Sequence, residues 1–325
     1  MPKKIAIIGA GIAGLALASK LHKFAHVEVF EKSRGIGGRL STRLVEDFVF
    51  NHGSASFTAQ DPAFIELLNH NQDKVKCWQP KTMHLRQGNY QVPRPHYVGV
   101  PKMSNLCRVF LERYRVHKLC NIQHIRKQKD AKWTLTTGQK EYIDFDWVIC
   151  AMPLIQAHKL LSTVEGAQRL IEPLSTVTMA PTMTMMLGLN KPLDISFDIG
   201  LVEDDCLESF RTNINSSDNL EQTNTLVIHS STKWAKNHID DDKDANKQRM
   251  MQRIKQYIKL NEQAIVYQGL HQWRYAYVEK AISTRYIVDD KLSLGVCGDG
   301  FIKTGVEAAY HSAQYLGEYL HYQLN

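Results

Sequence analysis

Three glycines near the amino terminus constrain this chain more than any other feature, because each stands where a side chain would obstruct. The run Gly9-Ala10-Gly11-Ile12-Ala13-Gly14 follows the β-rich stretch Lys4–Ile8 and opens a helical pattern over Ile12–His22. In such a strand–turn–helix the first glycine makes the tight turn and the second lets the backbone approach a pyrophosphate. The third lets helix and strand pack closely. Unpaired N–H groups at the helix start, Ile12, Ala13 and Gly14 among them, then face the phosphates with the helix dipole behind them. A second strand pattern, His26–Phe30, ends at Glu31, about 20 residues beyond the turn, where a carboxylate can accept hydrogen bonds from an adenosine ribose. The sequence predicts a Rossmann-like, doubly wound α/β domain that binds a dinucleotide.

The same start imitates a secretory signal, with Met1-Pro2-Lys3-Lys4 ahead of an apolar run to Ala18. Three glycines in a signal's helical middle would each cost about 1 kcal/mol of helix propensity. The second strand also follows at once, so the segment is expected to remain in the protein. The 325 residues suggest two domains, and 43% hydrophobic with 22% charged residues excludes disordered, collagenous and coiled-coil chains. The longest apolar stretch, Val148 to Ile155, is far short of the roughly 20 residues a membrane helix needs, so no membrane partner is expected. Forty basic against 33 acidic residues give +7, which favours small anionic ligands; the basic residues are scattered and give no nucleic-acid signature. Six cysteines (77, 107, 120, 150, 206 and 297) show neither Cys-x-x-Cys nor metal-ligand spacing. They suit buried thiols in a reducing, cytoplasmic setting, with no metal site.

Directly after Glu31 comes Lys32-Ser33-Arg34-Gly35-Ile36-Gly37-Gly38-Arg39. Gly37 and Gly38 would let the chain pass tightly over the phosphates, with the Arg39 guanidinium on an oxygen. Near the other end, the apolar run Leu292–Val296 closes on Cys297-Gly298-Asp299-Gly300, and a helical pattern opens at Gly305-Val306-Glu307. Asp299 could hold a ribityl hydroxyl. The N–H groups at Val306 and Glu307 could stabilise negative charge at the N1–O2 edge of a reduced flavin.

Together Gly9-x-Gly11-x-x-Gly14, Glu31, Gly37-Gly38-Arg39 and Gly298-Asp299-Gly300-Phe301 resemble FAD-dependent amine-oxidase-type flavoproteins. The likeness is to their renalase-like branch, with support from His52-Gly53-Ser54-Ala55-Ser56-Phe57-Thr58, Val100-Pro101-Lys102-Met103-Ser104, Val227-Ile228-His229-Ser230-Ser231 and Gln272-Trp273-Arg274-Tyr275-Ala276. The resemblance implies FAD contacts along both glycine turns, at Glu31 and Lys32, at Gly53, Ser54 and Ala55, and at the Gly298–Glu307 segment. It departs at Asn51, where relatives tend to carry an acid. No cysteine lies where covalently flavinylated relatives carry theirs, so the FAD is expected to be non-covalent.

This reading assembles an FAD domain from residues 1–54, 99–152 and 281–325. It includes a hairpin around Gly138 and a buried parallel strand over Asp146–Ala151. Residues 55–98 and 153–280 would form an interwoven α+β substrate domain on a mainly antiparallel sheet, with strands Thr182–Leu189 and Thr225–Ser231. An amphipathic helix is expected over Met250–Leu260, after the charged stretch Asp240–Lys247, which reads as an exposed loop or the start of a helix. For the substrate face, Trp273 and Tyr275 alternate on a strand and could wall a planar molecule, or be core aromatics. His229 could orient a carboxamide or be a satisfied core histidine. Arg211 and Arg274 could take nucleotide phosphates or pair with surface acids. No Ser-His-Asp order or paired carboxylates stand out, which fits cofactor-driven chemistry.

The resemblance implies an oxidase acting on isomeric dihydronicotinamide dinucleotides, with reoxidation by O2 to H2O2. An amine or polyamine oxidase and a non-catalytic nucleotide-binding regulator are the alternatives.

Overall fold

The computed structural model describes residues 2–212 and 224–324. They divide into two compact units. Unit 1 holds Met1–Gly38, Cys107–Met179 and Tyr277–Asn325, and unit 2 holds Arg39–Leu106 and Ala180–Ala276. Three separate stretches make unit 1 and two make unit 2, with boundaries that differ from those expected. Residues 39–54 belong to unit 2 because their hairpin, Arg43–Val45 with Phe48–Phe50, packs on that unit's sheet through Phe48 and Phe50. Residues 99–106 likewise join unit 2, where Asn51 accepts from the Met103 N–H. Residues 153–179 belong to unit 1, where Leu154 abuts Gly300.

Unit 1 is built on a six-stranded sheet. Its spatial order is Ile287–Asp289, Leu294–Val296, Trp147–Cys150, Lys4–Ile8, His26–Phe30 and Arg115–His117. The last five run parallel and Ile287–Asp289 runs antiparallel at the edge. Three of them, Leu294–Val296, Trp147–Cys150 and Lys4–Ile8, are almost wholly apolar and buried, as covering both faces of a parallel sheet requires. The hairpin around Gly138 forms, as Trp133–Thr136 with Glu141–Phe145, and His124–Lys127 extends it to three strands. The helix Ile12–Leu21 packs along the closing helix Val306–Leu324. Leu17 and Lys20 meet Gly317, and Phe24 stacks edge-on with His321, so the two helices run parallel. Their amino termini therefore point to the same end, where the parallel strands finish. In doubly wound sheets that end binds ligands.

Unit 2 rests on a seven-stranded sheet ordered Ile265–Lys280, Thr178–Leu189, Asn224–Ser230, Leu207–Thr212, Ile199–Leu201, Thr82–His84 and Asn89–Tyr90. The registered pairs are antiparallel except Ile199–Leu201 with Thr82–His84. Strand alternation sorts its faces. Met183, Met185, Leu187, Leu226, Ile228, Phe210 and Leu270 form an apolar core with residues of the helices Thr232–His238 and Lys243–Ile254. The second helix departs from the expected Met250–Leu260. Asp242 caps it by accepting from the Ala245 N–H at 2.7 Å, so the charged stretch is the helix's first turns. Residues after Ile254 leave the helix in a short turn.

No helix among the described residues is long and apolar enough to cross a membrane. Cys107, Cys120, Cys150 and Cys297 are buried, but Cys77 is exposed and Cys206 is partly so, against the expectation of buried thiols throughout.

Candidate functional sites in the two units

In unit 1 the two glycine turns lie against each other. The Gly37 N–H donates to the Ala10 carbonyl at 2.8 Å, Gly37 and Gly11 form a parallel bridge, and Gly38 lies against the Gly11 backbone. A Cβ on Gly14 would stand 1.9 Å from the Gly9 carbonyl oxygen, which is the close helix–strand approach the motif predicts. A Cβ on Gly11 would meet nothing within 4 Å, so open space faces the turn. Gly11 also caps Ile12–Leu21 without any side-chain hydrogen bond, leaving the first N–H groups of that helix to a ligand. Ile12 and Ala13 are buried within it.

Glu31 is buried to 6% exposure at the end of its strand. Its Oε2 accepts from the Ala10 N–H at 2.9 Å and its Oε1 from the Ser33 N–H at 2.8 Å. The carboxylate thus braces both turns while retaining lone pairs for a ribose hydroxyl. Lys32 beside it is exposed.

Gly298 follows the central strand Leu294–Val296, its N–H donates to Ser312 Oγ at 2.9 Å, and Asp299 is buried. Val306 is buried and Glu307 half-buried at the start of the closing helix. The fit to an FAD-type dinucleotide is good: an uncapped helix start, an open glycine, a buried acid after the second strand and a second helix start all sit at one end of the sheet.

In unit 2 the sheet face opposite the apolar core carries the polar side chains. The register pairs Thr184 and Ser209 with His229, and Met186 and Arg211 with Val227, so all of these share one face. Tyr267 joins Met186, Val227 and Phe50 there, which puts His271, Trp273 and Tyr275 on that face by alternation. Trp273 and Tyr275 are both half-buried and lie outside the buried core. The Trp273 Nε1–H donates to the His52 carbonyl at 3.0 Å. Its ring stacks on the His52 imidazole at 5.3 Å and meets His271 edge-on at 4.3 Å.

Arg211 donates Nη1 to Ser56 Oγ at 2.7 Å, and Ser56 Oγ lies 2.9 Å from His96 Nδ1. Gly53 passes so close to the Arg39 carbonyl that a Cβ would stand 2.0 Å from it, and the Ser54 N–H donates to the same oxygen. Ser54 is exposed and Ala55 buried. Arg39 sends Nη1 to the Ala276 carbonyl at 3.1 Å.

The imidazoles are held neutral. Burial, then the neighbouring His271 and Arg43, brings His52 down to about 3. Burial and then Arg43 bring His271 to about 4, and burial with Arg211 brings His229 to about 4 against the pull of the Gly53 and His52 backbone.

Three of these side chains escape sequence reasoning as site residues: His52, His271 and Arg43. His271 had a legible signal, since it precedes Trp273 by the same two-residue step that groups Tyr275 with it. Arg43 had none. Conversely, Arg274 falls on the other face of its strand and pairs with Asp240 at 2.7 Å. Asn51 accepts from Thr42 Oγ1 and the Met103 N–H, so its amide ties loops together where relatives were expected to carry an acid.

Comparison with known proteins agrees with this architecture. A family model described as an NAD(P)-binding Rossmann-like domain matches residues 7–70. The 4,4'-diapophytoene desaturase of Staphylococcus aureus strain MRSA252 is 43% identical over 53 residues, 16% of this chain and 11% of that protein. The chain thus spans only about a tenth of the curated relatives it matches. Among solved structures, reduced UDP-galactopyranose mutase superposes with a TM-score of 0.76 at 12% identity, covering 99% of this chain and 96% of that one. A Methanosarcina mazei oxidoreductase gives 0.71 at 13% identity over 97% and 100%. Putrescine oxidase bound to putrescine gives 0.70 at 12% over 100% and 99%. The fold is therefore the Rossmann-like α/β fold that these solved structures share.

Proposed function

We propose that this protein is an FAD-dependent oxidoreductase, resembling renalase, that oxidises isomeric dihydronicotinamide dinucleotides to NAD(P)+. The observation that carries the reading is the laced pair of glycine turns in unit 1, braced by Glu31 against an uncapped helix start. Bound non-covalently, FAD would supply the electron sink, taking a hydride at N5 and passing two electrons to O2, which leaves as H2O2.

The chain's own groups then have limited work, because the cofactor carries the hard chemistry. Gly9, Gly11, Ile12, Ala13 and Gly14 would hold the pyrophosphate, with Gly37, Gly38 and Arg39 closing over it and Lys32 beside it. Glu31 would accept from the ribose. Gly53, Ser54 and Ala55 would line the cofactor, and Asp299 would hold the ribityl chain. Val306 and Glu307 would present their N–H groups to the N1–O2 edge. In unit 2, Trp273 and Tyr275 would wall the nicotinamide and exclude water. Neutral His229 would orient the carboxamide, and Arg211 would hold a phosphate. Arg274 stays a candidate only for the outer part of a long substrate, given its ion pair with Asp240.

Anaerobic mixing of the yellow holoprotein with candidate donors tests this. Bleaching by a dihydronicotinamide isomer, followed by stoichiometric H2O2 on admitting air, is the expected result. Bleaching by amines instead would make it an amine oxidase, and no bleaching by any donor would leave a nucleotide-binding regulator.

A further inference from the structure

Three arginines of unit 2 hold a carboxylate: Arg249 pairs with Asp241 at 2.9 Å, Arg253 with Asp204 at 2.5 Å and Arg274 with Asp240 at 2.7 Å. Arg43 does not. Half-buried on its strand, it has no carboxylate partner among the described residues, and its Nη2 lies 3.4 Å from His271 Nδ1. A guanidinium donates to Nδ1 only when that nitrogen carries a lone pair, so His271 is neutral with its proton on Nε2. His271 meets His52 edge-on at 4.9 Å. His52 is 95% buried by its 5% exposure, and its Nδ1 has no hydrogen-bond partner. The charged groups bearing on these two rings are cationic: Arg43 on both and Lys243 on His271. Half-burying a guanidinium among neutral rings is costly unless a counter-charge arrives.

We propose that Arg43, set against His271 and His52 beside the Trp273 wall, receives an oxyanion of the substrate, a phosphate or a carboxylate. This rests on the reading that unit 2 supplies the substrate face. The planar fork of Arg43 matches an oxyanion bidentately, and an N–H at His52 Nδ1 adds a neutral donor. A cationic amine would bring a further positive charge beside Arg43, which pairs with no carboxylate among the described residues. Arg43 is thus a specificity residue that turns the site toward anionic donors.

The test uses the FAD-loaded protein and calorimetric titration with two probes at constant ionic strength: sulfate, a phosphate-like dianion, and nicotinate, a carboxylate. At least one should bind, and which one identifies the source of the oxyanion. R43Q should weaken that binding tenfold or more, while the surface variant R126Q leaves it unchanged. The flavin spectrum of each sample separates the two readings. Yellow R43Q without anion binding supports the inference, whereas a wild type that takes no flavin sinks the cofactor reading and leaves the anion titration to be judged by itself. Affinity in the wild type should stay flat between about pH 6 and pH 8, since the guanidinium and not an imidazolium carries the charge. That profile decides the matter should R43Q not fold. Failure of both anions to bind, unchanged binding by R43Q, or affinity that climbs as pH falls through about 6.5 would overturn the proposal.

Discussion

At Gly14 an added Cβ would sit 1.9 Å from the Gly9 carbonyl oxygen, a backbone atom that cannot swing aside. G14A should therefore cost about 1–3 kcal/mol and lower the melting temperature of the protein, with loss of retained yellow colour on gel filtration. Glu31 makes a different demand, since its two oxygens accept from the N–H groups of both turns. E31Q keeps the shape but replaces one acceptor with a donor opposite an N–H. FAD affinity, read by fluorescence of released flavin, should fall about tenfold, the equivalent of roughly 1.4 kcal/mol.

The buried imidazoles set a pH dependence. His52 and His229 are folded with values of about 3 and about 4, below the unfolded value of about 6.5. As pH falls below about 6.5 the unfolded chain takes up protons that the folded chain refuses, so their contribution is whole above that value and is lost progressively toward about pH 4. Each group should steepen the fall by up to about 1.4 kcal/mol per pH unit. The urea midpoint should drop from pH 7 to pH 5, and H229Q should flatten that slope by one proton's worth.

Single contacts fix how elements meet. Ser312, wholly buried on the closing helix, accepts from the Gly298 N–H and donates to the Arg285 carbonyl at 2.7 Å. S312A should cost about 1–3 kcal/mol and loosen the Gly298–Asp299 turn, seen as faster hydrogen exchange at Gly298. Local patterning foretold the strands Lys4–Ile8, His26–Phe30 and Trp147–Cys150 and both glycine turns, because short-range periodicity and turn chemistry determine them. It carried the helix on to Leu260, whereas the helix is Lys243–Ile254 and the charged stretch, capped by Asp242, forms its start, one of the two readings left open. For Arg274 it left open a phosphate ligand or a surface ion pair, and the side chain pairs with Asp240.

For the whole molecule, the order of the unit 1 sheet matters most. Lys4–Ile8 pairs with Trp147–Cys150, which pairs with Leu294–Val296, so one sheet draws on three distant stretches of chain. A chain truncated after residue 290 loses a central strand and the closing helix. It should fail to bind FAD and show no cooperative melting by circular dichroism.

The paired glycine turns were readable from the sequence because Lys4 through Gly38 form one contiguous strand–turn–helix–strand–turn unit whose geometry short-range sterics dictate. The polar face of unit 2 was not. Arg43 and His271 are 228 positions apart, and only the pairing of strands across the sheet sets a guanidinium beside that imidazole. Side-chain direction along one strand is a local property, but which strands share a face is decided by long-range register, and that register alone gives this face its charge.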